Sequence, residues 1–137
     1  ATPGQGAVTY DETFDKGRHQ AEVSFAKWLH KMFGGDIRLL DEVNKDKVQT
    51  PDYIWHGKLW DLKTATTEKA ADAAIRHGLK QINRNPGGIF LDYRGRMIDL
   101  GKLQSIITSR MRHSNADSVD IVVILSDEIA KVFRYKK

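Results

Sequence analysis

Two aspartates and a lysine fall in one short stretch, Pro51-Asp52-Tyr53-Ile54-Trp55-His56-Gly57-Lys58-Leu59-Trp60-Asp61-Leu62-Lys63. Two carboxylates and an ammonium suit metal-assisted hydrolysis of a phosphodiester. Carboxylates are hard oxygen ligands for Mg²⁺ or a similar ion. The ion polarises a phosphate and lowers the pKa of a bound water. A lysine beside it orients that water or neutralises charge in the transition state. Aromatic and branched residues flank His56-Gly57, the pattern of a β-hairpin. With the commonest loop, two residues long, Trp55 faces Lys58, Ile54 faces Leu59, Tyr53 faces Trp60 and Asp52 faces Asp61. Alternation then puts Asp52, Ile54, Leu59, Asp61 and Lys63 on one face and Tyr53, Trp55, Trp60 and Leu62 on the other, the better core face. Opposed like charges cost a strand pair up to roughly 1 kcal/mol. A divalent cation, Lys63 or a proton held by one carboxylate would offset that. A longer loop would move Asp52 away from Asp61.

The elements that position these residues follow from periodicity. Residues 15 to 33 read as a helix, with Ala21, Phe25, Trp28, Leu29 and Met32 at helical spacing and Gly34-Gly35 as its stop. Asp36 to Val43 reads as a strand and Asn44 to Thr50 as a polar loop. After the hairpin, Thr66 to Ile82 reads as a second helix with Ala71, Ile75, Leu79 and Ile82 on one face. Asn85-Pro86-Gly87-Gly88 breaks the chain before a short strand, Ile89 to Tyr93. Lys102 to Met111 reads as a third helix, buried through Leu103, Ile106, Ile107 and Met111. Val119 to Leu125 is an apolar, central strand, and Ser126-Asp127-Glu128 turns into a last strand, Ile129 to Tyr135. The expected fold is α/β, a single domain with a mixed β-sheet flanked by helices, in the order α-β-β-β-α-β-α-β-β. Residues 1 to 12 read as a linker or arm and 13 to 137 as the functional domain. The opening Ala1-Thr2-Pro3-Gly4-Gln5-Gly6 suggests a piece of a longer polypeptide.

The chain has 137 residues, 22 basic and 18 acidic, for a net charge of +4. That length can bury one core without metal or disulfide staples. The basic balance is compatible with a polyanionic partner such as nucleic acid. With no cysteine, thiolate nucleophiles, thiolate zinc sites and disulfides are excluded. No run of residues approaches the length of an apolar membrane span, and no signal-peptide pattern is present.

Other polar residues have two readings each. Glu22 lies beside the apolar stripe of the first helix, and His19, three residues earlier, meets it on one helix face. His56 sits at the hairpin tip. Arg76, His77 and Lys80, with Gln81, can hold substrate phosphates or form a solvated helix face. Arg110, Arg112 and His113 end the third helix, where its dipole favours cations; Arg110 is also a candidate, with Arg76, His77 and Lys80, for holding substrate. Lys131, Arg134, Lys136 and Lys137 are a nucleic-acid contact or a soluble tail.

Pro51-Asp52 followed by Asp61-Leu62-Lys63 resembles the pattern that names the PD-(D/E)XK nuclease superfamily. That superfamily carries an acidic residue on its first helix, and Glu22 occupies the comparable place. The resemblance implies a metal-dependent endonuclease, with Asp52, Asp61 and Glu22 as ligands of a divalent metal such as Mg²⁺ and Lys63 at the attacking water. The longer stretch "TPDYIWHGKLWDLKT", with "GLKQ" and "GIFLDY" after it, looks like the C-terminal toxin domains of contact-dependent growth inhibition and related bacterial polymorphic toxins. This second resemblance covers roughly residues 19 to 135. It implies RNA, above all tRNA, as substrate and a cognate immunity protein as partner. It also implies delivery as part of a secreted or cell-surface bacterial protein that acts in the target-cell cytoplasm. A basic domain should attract an acidic inhibitor.

Four alternatives stay open. Some such toxins have the barnase–EndoU–colicin–RelE type of fold and cut RNA without metal; Lys63, Thr64, Arg76, His77, Thr108 and Arg110 would then be the candidates. The metal site could serve a DNA endonuclease. A non-catalytic nucleic-acid-binding module would use the basic surface alone. A protein-interaction domain would show no steep salt dependence of nucleic-acid binding.

Overall fold

His56 and Gly57 both take positive φ, 53° and 72°, as a two-residue hairpin turn of the I′ type demands. That turn joins β3 (Tyr53–Trp55) to β4 (Lys58–Thr64). Its register, Tyr53–Trp60, Ile54–Leu59 and Trp55–Lys58, is the one expected from sequence. The structure is a computed structural model and describes residues 2–41, 51–81, 87–93, 99–113, 118–125 and 130–136, with the backbone alone for 81, 135 and 136. The loop expected at 44–50, the break at 85–86 and the turn at 126–128 lie outside the described residues.

The hairpin belongs to a mixed sheet of seven strands in the order β1-β2-β3-β4-β5-β6-β7. The remaining strands are β1 (Val8–Tyr10), β2 (Ile37–Leu39), β5 (Gly88–Asp92), β6 (Ser118–Ile124) and β7 (Ala130–Lys136). Three helices accompany them, α1 (Gln20–Met32), α2 (Glu68–Gln81) and α3 (Leu100–Arg112). This is the α/β architecture expected, with one strand more. β1 lies within the segment expected to be an arm and pairs in parallel with β2. The segment is held because its backbone groups find partners: the Gly4 amide donates to the His30 carbonyl (2.9 Å) and the Ala7 amide to the Asp36 carboxylate (2.9 Å).

Within the sheet the chain forms two compact units, Ala1–Trp60 and Asp61–Lys137. In the first, α1 buries Phe25, Ala26 and Leu29 beside Ile37, Leu39, Tyr53, Trp55 and Trp60. Rings dominate this core: Phe25 and Tyr53 lie 6.2 Å apart and Trp55 and Trp60 5.3 Å. Both tryptophans satisfy their ring N–H, Trp55 on the Gly34 carbonyl (2.9 Å) and Trp60 on the Trp55 carbonyl (3.1 Å). Helix α1 begins later than its apolar pattern suggests. The Asp15 carboxylate accepts from the Gly17 and Arg18 amides (3.0 and 3.2 Å), a local turn that competes with helix. The buried stripe is also rotated from the expected one, since Ala21 is exposed and Met32 is 43% exposed.

In the second unit β5 pairs in parallel with β6, and β6 antiparallel with β7. Ile89, Leu91 and Tyr93 alternate with period two, as do Val119, Ile121 and Val123. They pack with Ala71, Ala74, Ile75 and Leu79 of α2 and Leu103, Ile107 and Met111 of α3. Each large aliphatic side chain so buried contributes about 1.5–3 kcal/mol. Helix α3 starts at Asp99, whose carboxylate accepts from the Gly101 and Lys102 amides (2.9 and 3.3 Å), an N-cap.

Candidate active site

Asp61 and Lys63 stand two residues apart on β4, so their side chains leave the same face. Asp61 is 1% exposed, the one charged residue buried among the described residues. A buried carboxylate is costly unless paired and hydrogen-bonded. Lys63 supplies a counter-charge: its Nζ lies 3.1 Å from Asp61 Oδ2, with the lysine side chain 24% exposed. The ammonium therefore stands against a buried anion at the tip of a side chain that is itself partly exposed.

The helix that follows covers Asp61. The Thr67 hydroxyl accepts from the Ala70 amide (3.1 Å), the bond of a helix N-cap, and so starts α2. The buried face of α2 is mostly small: Ala71, Ala74, Ile75, Gly78 and Leu79. Gly78 is the closest approach. A Cβ there would lie 2.9 Å from Ile89 Cδ1, 3.0 Å from Ile89 Cγ1 and 3.4 Å from Asp61 Oδ2. Glycine in a helix costs about 1 kcal/mol relative to alanine. Here it lets the helix sit down on Ile89 and on the Asp61 carboxylate.

The other expected carboxylates belong to the first unit. The Asp52 amide donates to the Trp60 carbonyl (2.9 Å), while the register pairs Trp60 with Tyr53. Two residues thus oppose one, as in a β-bulge. Glu22 precedes Phe25 and Ala26 by three and four residues and so lies on the buried face of α1, not on its flank. Its side chain is 20% exposed, and Oε2 lies 3.5 Å from His19 Nδ1. The Tyr53 hydroxyl donates to the Glu22 carbonyl (2.7 Å), which ties the start of α1 to the strand that follows Asp52.

Of the residues expected to hold substrate, Arg76, His77 and Lys80 are exposed along α2. Arg110 is engaged within the fold. Its Nε and Nη2 each lie 2.6 Å from the two oxygens of Asp72, a bidentate bridge from α3 to α2. The hydrogen bond from Arg110 holds the Asp72 carboxyl below its ordinary value; attraction to Arg110 and Arg76 adds to this, against a smaller effect of burial. Burial first, then positive charges including Lys58, lower the His56 imidazole below its ordinary value. That ring lies against Trp55 at the hairpin tip, tilted by 43° with centroids 4.2 Å apart.

The donor chemistry of Asp61, a carboxylate within a charged pair, fits a hard divalent cation. Among the described residues, no three His, Asp or Glu side chains are grouped so as to hold a metal ion.

No family model matches the chain, and no curated protein matches it in sequence. Its fold has a counterpart among solved structures. A chain of the CdiA-CT/CdiI toxin and immunity complex from Burkholderia pseudomallei superposes with a TM-score of 0.55 at 14% identity, over 93% of this chain and 99% of that one. The resemblance read from "TPDYIWHGKLWDLKT" thus has a structural counterpart at the level of the fold. No described helix is long and apolar enough to cross a membrane.

Sequence reasoning missed Gly78, Asp72 and Tyr53. Gly78 had a signal, an isolated glycine inside an otherwise helical pattern. Asp72 and Tyr53 had none, because their partners lie 38 and 31 residues away.

Proposed function

We propose that this chain is the nuclease toxin domain of a contact-dependent growth inhibition system, cleaving RNA, and tRNA in particular, at a centre built on Asp61 and Lys63. The observation that carries the reading is the Lys63 ammonium held 3.1 Å from a carboxylate that is 1% exposed. An ion pair of this kind on a strand beneath a close-packed helix suits chemistry better than stability, since a buried salt bridge is weak evidence for stability. The resemblance to the PD-(D/E)XK pattern and the fold shared with the CdiA-CT/CdiI complex support the same reading.

In this reading Lys63 places a positive charge against the scissile phosphate, and Asp61 fixes where that charge stands. The PD-(D/E)XK resemblance would assign Asp61, Asp52 and Glu22 to a divalent cation such as Mg²⁺, which would polarise the phosphate and acidify a water. Arg76, His77 and Lys80 on the exposed face of α2 meet backbone phosphates. Arg110 acts on substrate only through its hold on Asp72 beside Arg76. The domain travels as part of a larger surface-delivered protein into the target-cell cytoplasm, and an immunity protein neutralises it in the producing cell.

The test incubates the domain with total RNA, purified tRNA and plasmid DNA, each with Mg²⁺ or EDTA, beside Lys63→Ala and Asp61→Asn. The expected result is tRNA cleavage with Mg²⁺ alone, reduced about 10²- to 10³-fold in each variant. Cleavage that survives EDTA would select the metal-free reading, and cutting of plasmid but not RNA would select a DNA endonuclease. A folded wild-type sample that cuts nothing would sink the enzyme altogether.

A further inference from the structure

A second feature of the first unit lies between β1 and α1. Tyr10, Phe14 and His19 form a row of three partly buried rings, the His19 side chain 17% exposed. Tyr10 and Phe14 have centroids 5.5 Å apart at 38°, and Phe14 and His19 5.5 Å apart at 39°. A row of rings left short of full burial needs a reason, because a phenylalanine gains most from full burial.

The row is held rigidly by polar bonds that do not involve the rings. The Phe14 amide donates to the Asp11 carbonyl (3.0 Å) and the His19 amide to the Asp15 carbonyl (3.2 Å). Asp11 in turn accepts from Arg38 Nε (2.6 Å) and the Asp41 amide (3.0 Å). The Thr13 hydroxyl donates to Asp41. The Asp15 carboxylate is taken up by the Gly17 and Arg18 amides. Two acidic residues of the segment are thus engaged by the fold, while Lys16 and Arg18 remain exposed. Lys16 Nζ stands 4.1 Å from the Tyr10 ring centroid, a cation–π contact. At its other end the row stops at His19, beside Glu22.

We propose that Tyr10, Phe14 and His19 form a stacking platform for an unpaired nucleobase of the bound strand, with Lys16 and Arg18 on its flanking phosphates. The inference rests on the reading of the chain as acting on nucleic acid, and deepens it. A row of rings with cations beside it is what single-stranded nucleic acid takes, since every base has a π-face and every nucleotide a phosphate. A base in a duplex is already stacked on both sides and cannot use the platform. Because the rings are preorganised, binding there loses little side-chain entropy. Substrate preference follows: a splayed or single-stranded segment is engaged in preference to uninterrupted duplex.

The experiment uses the full chain carrying Lys63→Ala, so that bound strands stay intact. Short single-stranded RNA and DNA, each containing one 2-aminopurine, and the matching duplexes are titrated by fluorescence. Phe14→Leu keeps an apolar side chain but removes the ring, and His19→Phe keeps a ring but removes the imidazole. Circular dichroism establishes that each variant is folded. Phe14→Leu should bind the single strands about 5- to 150-fold more weakly, lose the stacking-induced quenching of 2-aminopurine and leave duplex binding unchanged. His19→Phe should retain both binding and quenching. A Phe14→Leu chain that binds and quenches single strands like its parent overturns the platform, as does one that weakens single strands and duplexes alike. If wild-type protein cleaves RNA and Phe14→Leu changes nothing, the platform alone has failed. If nothing is cleaved but Phe14 governs single-strand binding, the nuclease reading alone has failed.

Discussion

Lys63→Met removes the ammonium and keeps most of the side-chain stem, leaving the Asp61 carboxylate in place at 1% exposure. Two unit charges 3.1 Å apart attract by roughly 5 kcal/mol at an effective dielectric of about 20. Most of that attraction is offset by desolvation of the two ions, so it is not the net cost of the substitution. Deleting one partner of a fully buried pair costs about 3–5 kcal/mol, and of an exposed pair about 0.2–1 kcal/mol. With one end at 1% and the other at 24% exposure, the expected loss lies between these, about 2 kcal/mol. For a domain of this length that lowers Tm by roughly 7 °C. Asp61→Asn leaves instead an ammonium that can turn to water, and should cost less. Thermal unfolding of wild type, both single variants and the double variant checks this. A Lys63→Met gap under about 1 °C would refute the reasoning that Asp61 depends on Lys63.

Other substitutions probe the surroundings of the pair. Gly78→Ala should gain about 1 kcal/mol of helix propensity and lose about 1–3 kcal/mol to the overlap with Ile89, for a net fall in Tm. Ile89→Val, which removes the Cδ1 atom at 2.9 Å, should recover part of it; a more stable Gly78→Ala chain would mean that α2 has room to move. The Asp72–Arg110 bridge makes a signed prediction. A carboxyl held below its ordinary value of 3.8 adds stability above that pH and loses it as pH falls through its folded value. Asp72→Asn should therefore be less stable than wild type at pH 6, with the gap closing below about pH 3.8; urea midpoints at both pH values measure it. Asp99→Ala removes the cap of α3 and should cost about 1 kcal/mol, read as a lower urea midpoint with an unchanged slope.

Local chemistry wrote much of this fold into the sequence. Glycine at 57 after histidine at 56, between runs of aromatic and branched residues, demanded a tight turn, and that turn fixed the register from Tyr53–Trp60 to Trp55–Lys58. The apolar run at 119–125 and helical spacing in 103–111 identified strand and helix, because a central strand is buried on both faces and a packed helix on one. The Asp61-Leu62-Lys63 spacing alone put a carboxylate and an ammonium on one face of one strand. Features that depend on distant partners were not legible. Val8–Tyr10 became a strand because β2 offered it a parallel edge, and three residues carry too little pattern to announce that. Helix α1 turned its face by one position because Ala26, not Ala21, meets the sheet side of its unit, and alanine reads the same in either place. Asp52 met Trp60 through a bulge, an event of backbone bonding that residue types do not encode. The depth of Asp61 was decided by Gly78, seventeen positions along the chain. Sequence specified which chemical groups were available and in what local order; tertiary packing decided which of them lost water, and so which charges had to be held together.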